Sequence, residues 1–193
     1  MKPTKILRTI ESHLDLGLCY IPNIKEDRKY LEDIGAAGAT IRIEGEKRAI
    51  ILVENKKDIY VLAEELTHFI DTENAKRRPV KNDEDFFYNQ ALMEALGYYG
   101  SKIILPEREP FRVRKRLKKN IAEKDWESLK KAYTVRYKLQ TAWHEIGYDL
   151  GEKIYNYVQK TGKKEPALSL IIKNRQKEKP FEVYKKILEK VTR

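Results

Sequence analysis

Apolar residues recur at helical spacing at the start of the chain, where Ile6, Leu7, Ile10 and Leu14 share one face. With Thr4 available as an N-cap, the pattern predicts a helix over residues 4–14, broken by Gly17. A second short helix is predicted over 26–34 and ended by Gly35. The period then shortens. The runs Ala39-Thr40-Ile41-Arg42-Ile43-Glu44 and Arg48-Ala49-Ile50-Ile51-Leu52-Val53 alternate, are rich in β-branched residues and flank Gly45-Glu46, which predicts a hairpin or two neighbouring strands. From Asp58 the helical period returns, with Ile59, Leu62, Ala63, Leu66, Phe69 and Ile70 on a helix of about three and a half turns. Residues 71–85 are polar, include Pro79 and read as a loop. An apolar helix is predicted over 86–99, followed by Gly100 and a closing run Ile103-Ile104-Leu105-Pro106.

Pro106 and Pro110 punctuate the chain where its charge changes. Residues 1–105 carry 16 Lys and Arg against 18 Asp and Glu, whereas 106–193 carry 24 against 12, so the whole net charge of +10 arises from the second part. A working domain over 1–106 and a basic helical region over 107–193 are the expected organisation. In the second part, 124–158 reads as one long or two consecutive helices, a polar break holds Gly162 and Pro166, and Pro180 opens a last helix. No internal repeat or sustained heptad appears. No run approaches a membrane span or a secretory h-region, and the single Cys19 cannot form an internal disulfide, so a cytoplasmic protein with no membrane partner is expected, its thiol buried and inert.

The candidate chemistry lies on the helix that begins after Asp58. Glu64 and His68 are four residues apart, so they share a face and can converge on one ion, with Glu65 beside them. In an HExxH helix the first and fifth residues bind Zn²⁺, while the Glu at the second polarises the bound water. The run here is Glu64-Glu65-Leu66-Thr67-His68: the second and fifth positions are intact and the first is Glu. Carboxylates spaced along an amphipathic helix also form ordinary solvated faces, and the five residues alone do not separate these readings. His144, in Trp143-His144-Glu145-Ile146-Gly147-Tyr148-Asp149, lacks a partner at the fifth position. Its plain reading is a partly buried residue packed on Trp143, the alternative that it folds back to supply the missing imidazole. His13, near the end of the first helix, reads as structural.

The setting of the motif, a strand Ala49-Ile50-Ile51-Leu52-Val53, a polar linker and then Val61-Leu62-Ala63-Glu64-Glu65-Leu66-Thr67-His68-Phe69, resembles the ImmA/IrrE family of zincin-like metallopeptidases over roughly residues 20–106. That family carries a third, acidic ligand on the next helix, ahead of a closing L-L-M-P, and Glu94 stands there ahead of Ile103-Ile104-Leu105-Pro106. The resemblance implies an α+β fold, a small zincin-like β-sheet with packed metal-site helices followed by the basic helical region. It implies Glu64, His68 and Glu94 as metal ligands and Glu65 as general base, with Leu66 and Thr67 supporting the helix. By family the ion is zinc. The departure at Glu64 makes the donor set harder and more anionic, which shifts preference toward manganese or iron, or weakens binding, and raises the pKa of bound water so that hydrolysis slows.

The family's usual target is a protein substrate that is a DNA-binding repressor or an antitoxin, cleaved to switch a mobile-element or stress programme. Arg108, Arg112, Arg114, Lys115, Arg116, Lys118 and Lys119, followed by Tyr133, Arg136, Tyr137 and Lys138, would help recruit the repressor, nucleic acid or another acidic partner. They also read as a solvated or heat-adapted surface, and no recognisable nucleic-acid-binding spacing accompanies them. A catalytically inactive zincin-fold binding module, contacting a protein or nucleic acid through the basic region, is the competing expectation. Ser-His-Asp, Cys-His, P-loop and dinucleotide-binding signatures are absent from the sequence.

Overall fold

The computed structural model describes residues 1–17, 20–42, 49–74, 80–107, 142–171 and 178–193. Helix α1 (Pro3–His13) begins earlier than predicted because Pro3 occupies the first turn, where its missing N–H costs nothing. Lys2 is the extended N-cap residue, so Thr4 lies inside the helix rather than capping it. Strand β1 (Asn23–Glu26) was not predicted: only Ile24 is even partly buried, which leaves no apolar alternation to read. Helix α2 (Arg28–Ile34) is tightly specified at both ends, since the Asp27 carboxylate accepts from the Tyr30 N–H at 3.0 Å and Gly35 closes it in the left-handed conformation at φ 70°.

Strands β2 (Gly38–Arg42) and β3 (Ala49–Val53) form the expected antiparallel pair, with Thr40 opposite Ile51; the turn residues between them lie outside the described residues. β3 also pairs with β1 in parallel, so the order is β1-β3-β2. The central strand supplies buried Ala49, Ile51, Leu52 and Val53, the near-continuous apolar run that a strand enclosed on both sides requires.

Helix α3 (Ile59–Asn74) is started by Asp58, whose carboxylate accepts from the N–H groups of Tyr60 and Val61, each at 3.1 Å. It runs into the stretch predicted as a loop. Helix α4 (Asp83–Ile104) is capped by Asn82, which accepts from the Asp85 N–H at 2.8 Å, and its acidic first turn suits the positive end of the helix dipole. It continues past Gly100 through Ile103 and Ile104, which the sequence suggested as a separate closing run. Helices α5 (Ala142–Thr161), α6 (Glu165–Ile171) and α7 (Pro180–Thr192) complete the described chain. The result is the expected α+β class, helices packed with one small sheet.

The core crosses the division expected at residue 106. Leu150, Ile154 and Val158 of α5 and Val183 and Ile187 of α7 share one buried cluster with Ile6 and Ile10 of α1, Leu62 and Leu66 of α3 and Leu92 and Leu96 of α4. An independent second unit would need its own core, whereas these C-terminal helices bury their apolar faces against the first part. Among the described residues no helix is long and apolar enough to cross a membrane.

Glycine sets the helix spacing. A Cβ on Gly147 of α5 would fall 2.6 Å from the Ala91 carbonyl oxygen and 2.6 Å from Glu94 Cβ, and one on Gly151 would fall 2.5 Å from the Ala95 carbonyl oxygen. α5 therefore lies directly on the backbone of α4 along the Ala91–Ala95 turn. Gly147→Ala is expected to cost about 2 kcal/mol or more, because a backbone carbonyl cannot yield as a side-chain tip can. Gly17→Ala, which meets no atom within 4 Å, should stay within about 0.5 kcal/mol of wild type. Urea denaturation of the two variants checks the contrast.

Candidate metal centre

α3 is buried on nearly every side in its middle turns, and its polar residues face two different neighbours. Leu62, Leu66, Phe69 and Ile70 enter the core. Glu64 and His68 point toward α4, as their four-residue spacing requires. Glu65 turns instead to strand β2, where the Thr40 hydroxyl lies 2.8 Å from its Oε2 and 3.1 Å from its backbone carbonyl. Thr67, fully buried, donates to the Ala63 carbonyl at 2.7 Å and occupies the space that a side chain at Gly100 would need.

Glu94 comes from α4, and its Oε2 lies 3.7 Å from His68 Nε2. Gly97, three residues further along α4, opens the gap. A Cβ there would stand 2.7 Å from His68 Cε1, 2.8 Å from Nε2 and 3.1 Å from Glu64 Cγ. One ligand atom from each of Glu64, His68 and Glu94 lies within 4.8 Å of the other two, the one such cluster among the described residues. Ligands held about 2 Å from a single ion lie within about 4 Å of one another, so small side-chain rotations bring the three to binding distance. Convergence, the glycine cradle and a donor set of two carboxylates and one imidazole all fit a divalent cation.

α5 closes the cluster from the other side. The Tyr148 hydroxyl donates to Glu64 Oε1, and its ring packs on Tyr98 at 5.0 Å. His144 Nε2 lies 3.3 Å from Glu94 Oε1, while its ring stacks loosely on Trp143 at 6.3 Å and meets Tyr148 edge-on. His144 thus packs on Trp143 as its plain reading held, and it also returns to the cluster, beside Glu94. His13 is elsewhere, its Nε2 2.8 Å from the Tyr99 hydroxyl.

The electrostatics are those of an acidic site removed from water. Burial pushes the Glu64 carboxyl up to about 7 against the pull of the Tyr148 hydrogen bond, with Asp58 adding to the rise. Burial lifts Glu65 to about 8, opposed by Thr40 and reinforced by Glu64. Glu94 is held well above the carboxylate range by burial and then by the charges of Glu64 and Glu65. Burial, and next the neighbouring His68, lower His144, so it is neutral near pH 7. A set of carboxylates that resists ionisation without a cation is a feature of functional sites.

Of the residues singled out in the sequence, Glu64, His68 and Glu94 come together, whereas Glu65 faces Thr40 on β2. Arg112, Arg114, Lys115, Arg116, Lys118 and Lys119 lie outside the described residues, as do Arg108, the aromatic positions 133 and 137, and Cys19. Sequence reasoning missed Thr40, Gly97 and Tyr148. Thr40 reads only as a strand residue and Gly97 only as a helix weakener, whereas Tyr148 had one available signal, its place one turn after His144.

The metal-free protein should show the buried carboxyls in its pH dependence. Glu65 rises from an ordinary 4.5 to about 8 on folding, so the folded chain holds a proton that the unfolded chain releases. The stability this contributes is fully present below about pH 4.5 and is lost as pH rises through about 8. Glu65→Gln removes the ionisation and keeps an acceptor for Thr40. In chelator-treated protein the melting temperature of wild type should fall more steeply than that of Glu65→Gln between pH 5 and 9, measured by calorimetry; parallel curves would show that Glu65 is ionised normally.

Comparisons of the chain with protein families, curated proteins and solved structures find no match.

Proposed function

We propose that the chain is a metal-dependent peptidase of the ImmA/IrrE type with an altered ligand set, acting on a regulatory protein such as a repressor or antitoxin. The observation that carries the reading is the convergence of Glu64, His68 and Glu94 from two helices within 4.8 Å, with Glu65 on the adjacent helix position. Glu64, His68 and Glu94 would hold a divalent ion, zinc by family resemblance and manganese or iron by the hardness of the donors. Such an ion supplies Lewis acidity to a carbonyl and lowers the pKa of a water.

The chain's own residues do the rest. Glu65 takes a proton from the attacking water, whose oxygen bonds to the carbonyl carbon. As the C–N bond breaks, Glu65 returns that proton to the departing amine. Thr40 holds Oε2 of Glu65 and so fixes the carboxylate against β2. That contact also argues for a peptide substrate. Among the described residues β2 pairs only with β3, and an extended segment added along its other edge would lie beside the strand that holds Glu65, the geometry by which strands capture peptides.

A second reading, a zincin-shaped binding module without metal, draws support from one observation: the Tyr148 hydroxyl already satisfies an oxygen of Glu64, so the cluster has internal partners of its own. Metal content separates the two. Mass spectrometry of untagged protein prepared without chelators should find close to one ion per chain in wild type and none in His68→Ala. Gly97→Ala changes no ligand, yet its methyl group occupies the space of the imidazole, so it too should lose the ion. An ion-free wild type, even after addition of Zn²⁺ or Mn²⁺, would leave the binding module.

Catalysis has its own check. On a mixed peptide library read by mass spectrometry, Glu65→Gln should keep its ion and lose about 10²-fold or more of the cleavage rate, the usual contribution of a positioned general base. Cleavage at the wild-type rate would remove Glu65 from the mechanism.

A further inference from the structure

The geometry points to His144 and Tyr148 as positioning residues of the metal centre, which from successive turns of α5 each hold one oxygen of a metal-binding carboxylate and thereby direct the other oxygen at the ion. This inference rests on the metal reading above. Its observations are independent of the family resemblance, which ends near residue 106.

His144 and Tyr148 are four residues apart on α5 and so lie on one face. Tyr148 donates to Oε1 of Glu64. His144 Nε2 stands 3.3 Å from Oε1 of Glu94, whose other oxygen is the one that faces His68. The two α5 side chains therefore address the two carboxylates separately, in the order in which the helix presents them. They brace each other as well, ring edge to ring face with centroids 5.8 Å apart at 88°. The helix cannot drift from this position, because Gly147, between the two residues, lies against the Ala91 carbonyl and Glu94 Cβ. α5 thus lies directly against the turn of α4 that carries Glu94.

The chemistry gives the pair a purpose. Two carboxylates on one ion carry more negative charge than the usual single carboxylate with two imidazoles, and that excess weakens the acidity of a bound water. A phenol hydroxyl donating to one carboxylate and an imidazole nitrogen 3.3 Å from the other would draw off part of that charge and fix the orientation of both ligands. Donors placed behind metal ligands in this way commonly set affinity by about 10- to 100-fold. On this account α5 places an imidazole and a phenol behind the two carboxylate ligands.

The test is the Zn²⁺ affinity of the full chain, measured by competition with a chromophoric chelator, together with the visible spectrum of the Co²⁺-loaded protein. Wild type, His68→Ala, Tyr148→Phe, His144→Ala and His144→Gln are compared. Tyr148→Phe removes one oxygen and keeps the ring on Tyr98, so it decides the matter even where His144→Ala fails to fold. Tyr148→Phe and His144→Ala should each weaken Zn²⁺ binding about 10-fold or more and shift the Co²⁺ bands. His144→Gln, whose amide N–H can reach Glu94, should recover most of the loss, a rescue that a merely space-filling His144 would not show. If His68→Ala loses the ion while Tyr148→Phe, or a folded His144→Ala, binds Zn²⁺ and colours Co²⁺ as wild type does, the inference is overturned and the metal reading stands. If wild type binds neither ion, the metal reading itself fails and the inference with it.

Discussion

The close approach of three helices at glycine positions is the constraint on which the site depends. Gly97 admits His68 and the stem of Glu64 between α3 and α4, Gly100 admits Thr67, and Gly147 and Gly151 let α5 rest on the backbone of α4. Glycine inside a helix is unfavourable by itself, roughly 1 kcal/mol relative to Ala. Here the cost is offset by packing, since each missing Cβ lets another helix bury its side chains closer to the axis. Glu64, His68 and Glu94 have short reaches, and only helices this close bring their ligand atoms together.

Closeness has an electrostatic consequence. Glu64, Glu65 and Glu94 are all buried; Glu64 raises the cost of ionising Glu65, and both raise that of Glu94. Such a group of carboxyls keeps its protons, finds hydrogen-bond donors or takes up a cation, because charge out of water needs compensation. The fold supplies donors where it can, Thr40 to Glu65 and Tyr148 to Glu64. A stable protein with no use for the cluster would do better with apolar residues at these positions, and that supports a functional reading of the site.

The same helices show why a purely structural polar contact looks different. Tyr98 donates to Glu152 at 2.7 Å, Lys102 lies 3.4 Å from the same oxygen, and Asn156 adds a contact to the other. There a buried carboxylate has a cation and two neutral donors, and its charge is answered within the chain. At Glu64 and Glu94 the neighbours are instead a phenol and two imidazoles, Tyr148 on Glu64 and His68 and His144 beside Glu94.

The sequence by itself determined the elements that hold the site: the helical period after Asp58, the i, i+4 relation of Glu64 and His68, the stop at Gly35, and the two neighbouring strands on either side of residues 43–48. These are local matters of backbone geometry and side-chain spacing, which a linear pattern records. It also marked Glu94, through its position in a resemblance, without showing that the residue faces His68. The rest was decided by tertiary packing. Strand β1 is too exposed to leave an apolar pattern, α4 runs through Gly100 with Thr67 of α3 against it, and the basic second part contributes α5 and α7 to the same core as the first. Thr40, Gly97 and the pair His144 and Tyr148 join the site from three separate elements, because contact across elements depends on how closely their axes approach, and no residue spacing along one helix encodes that distance.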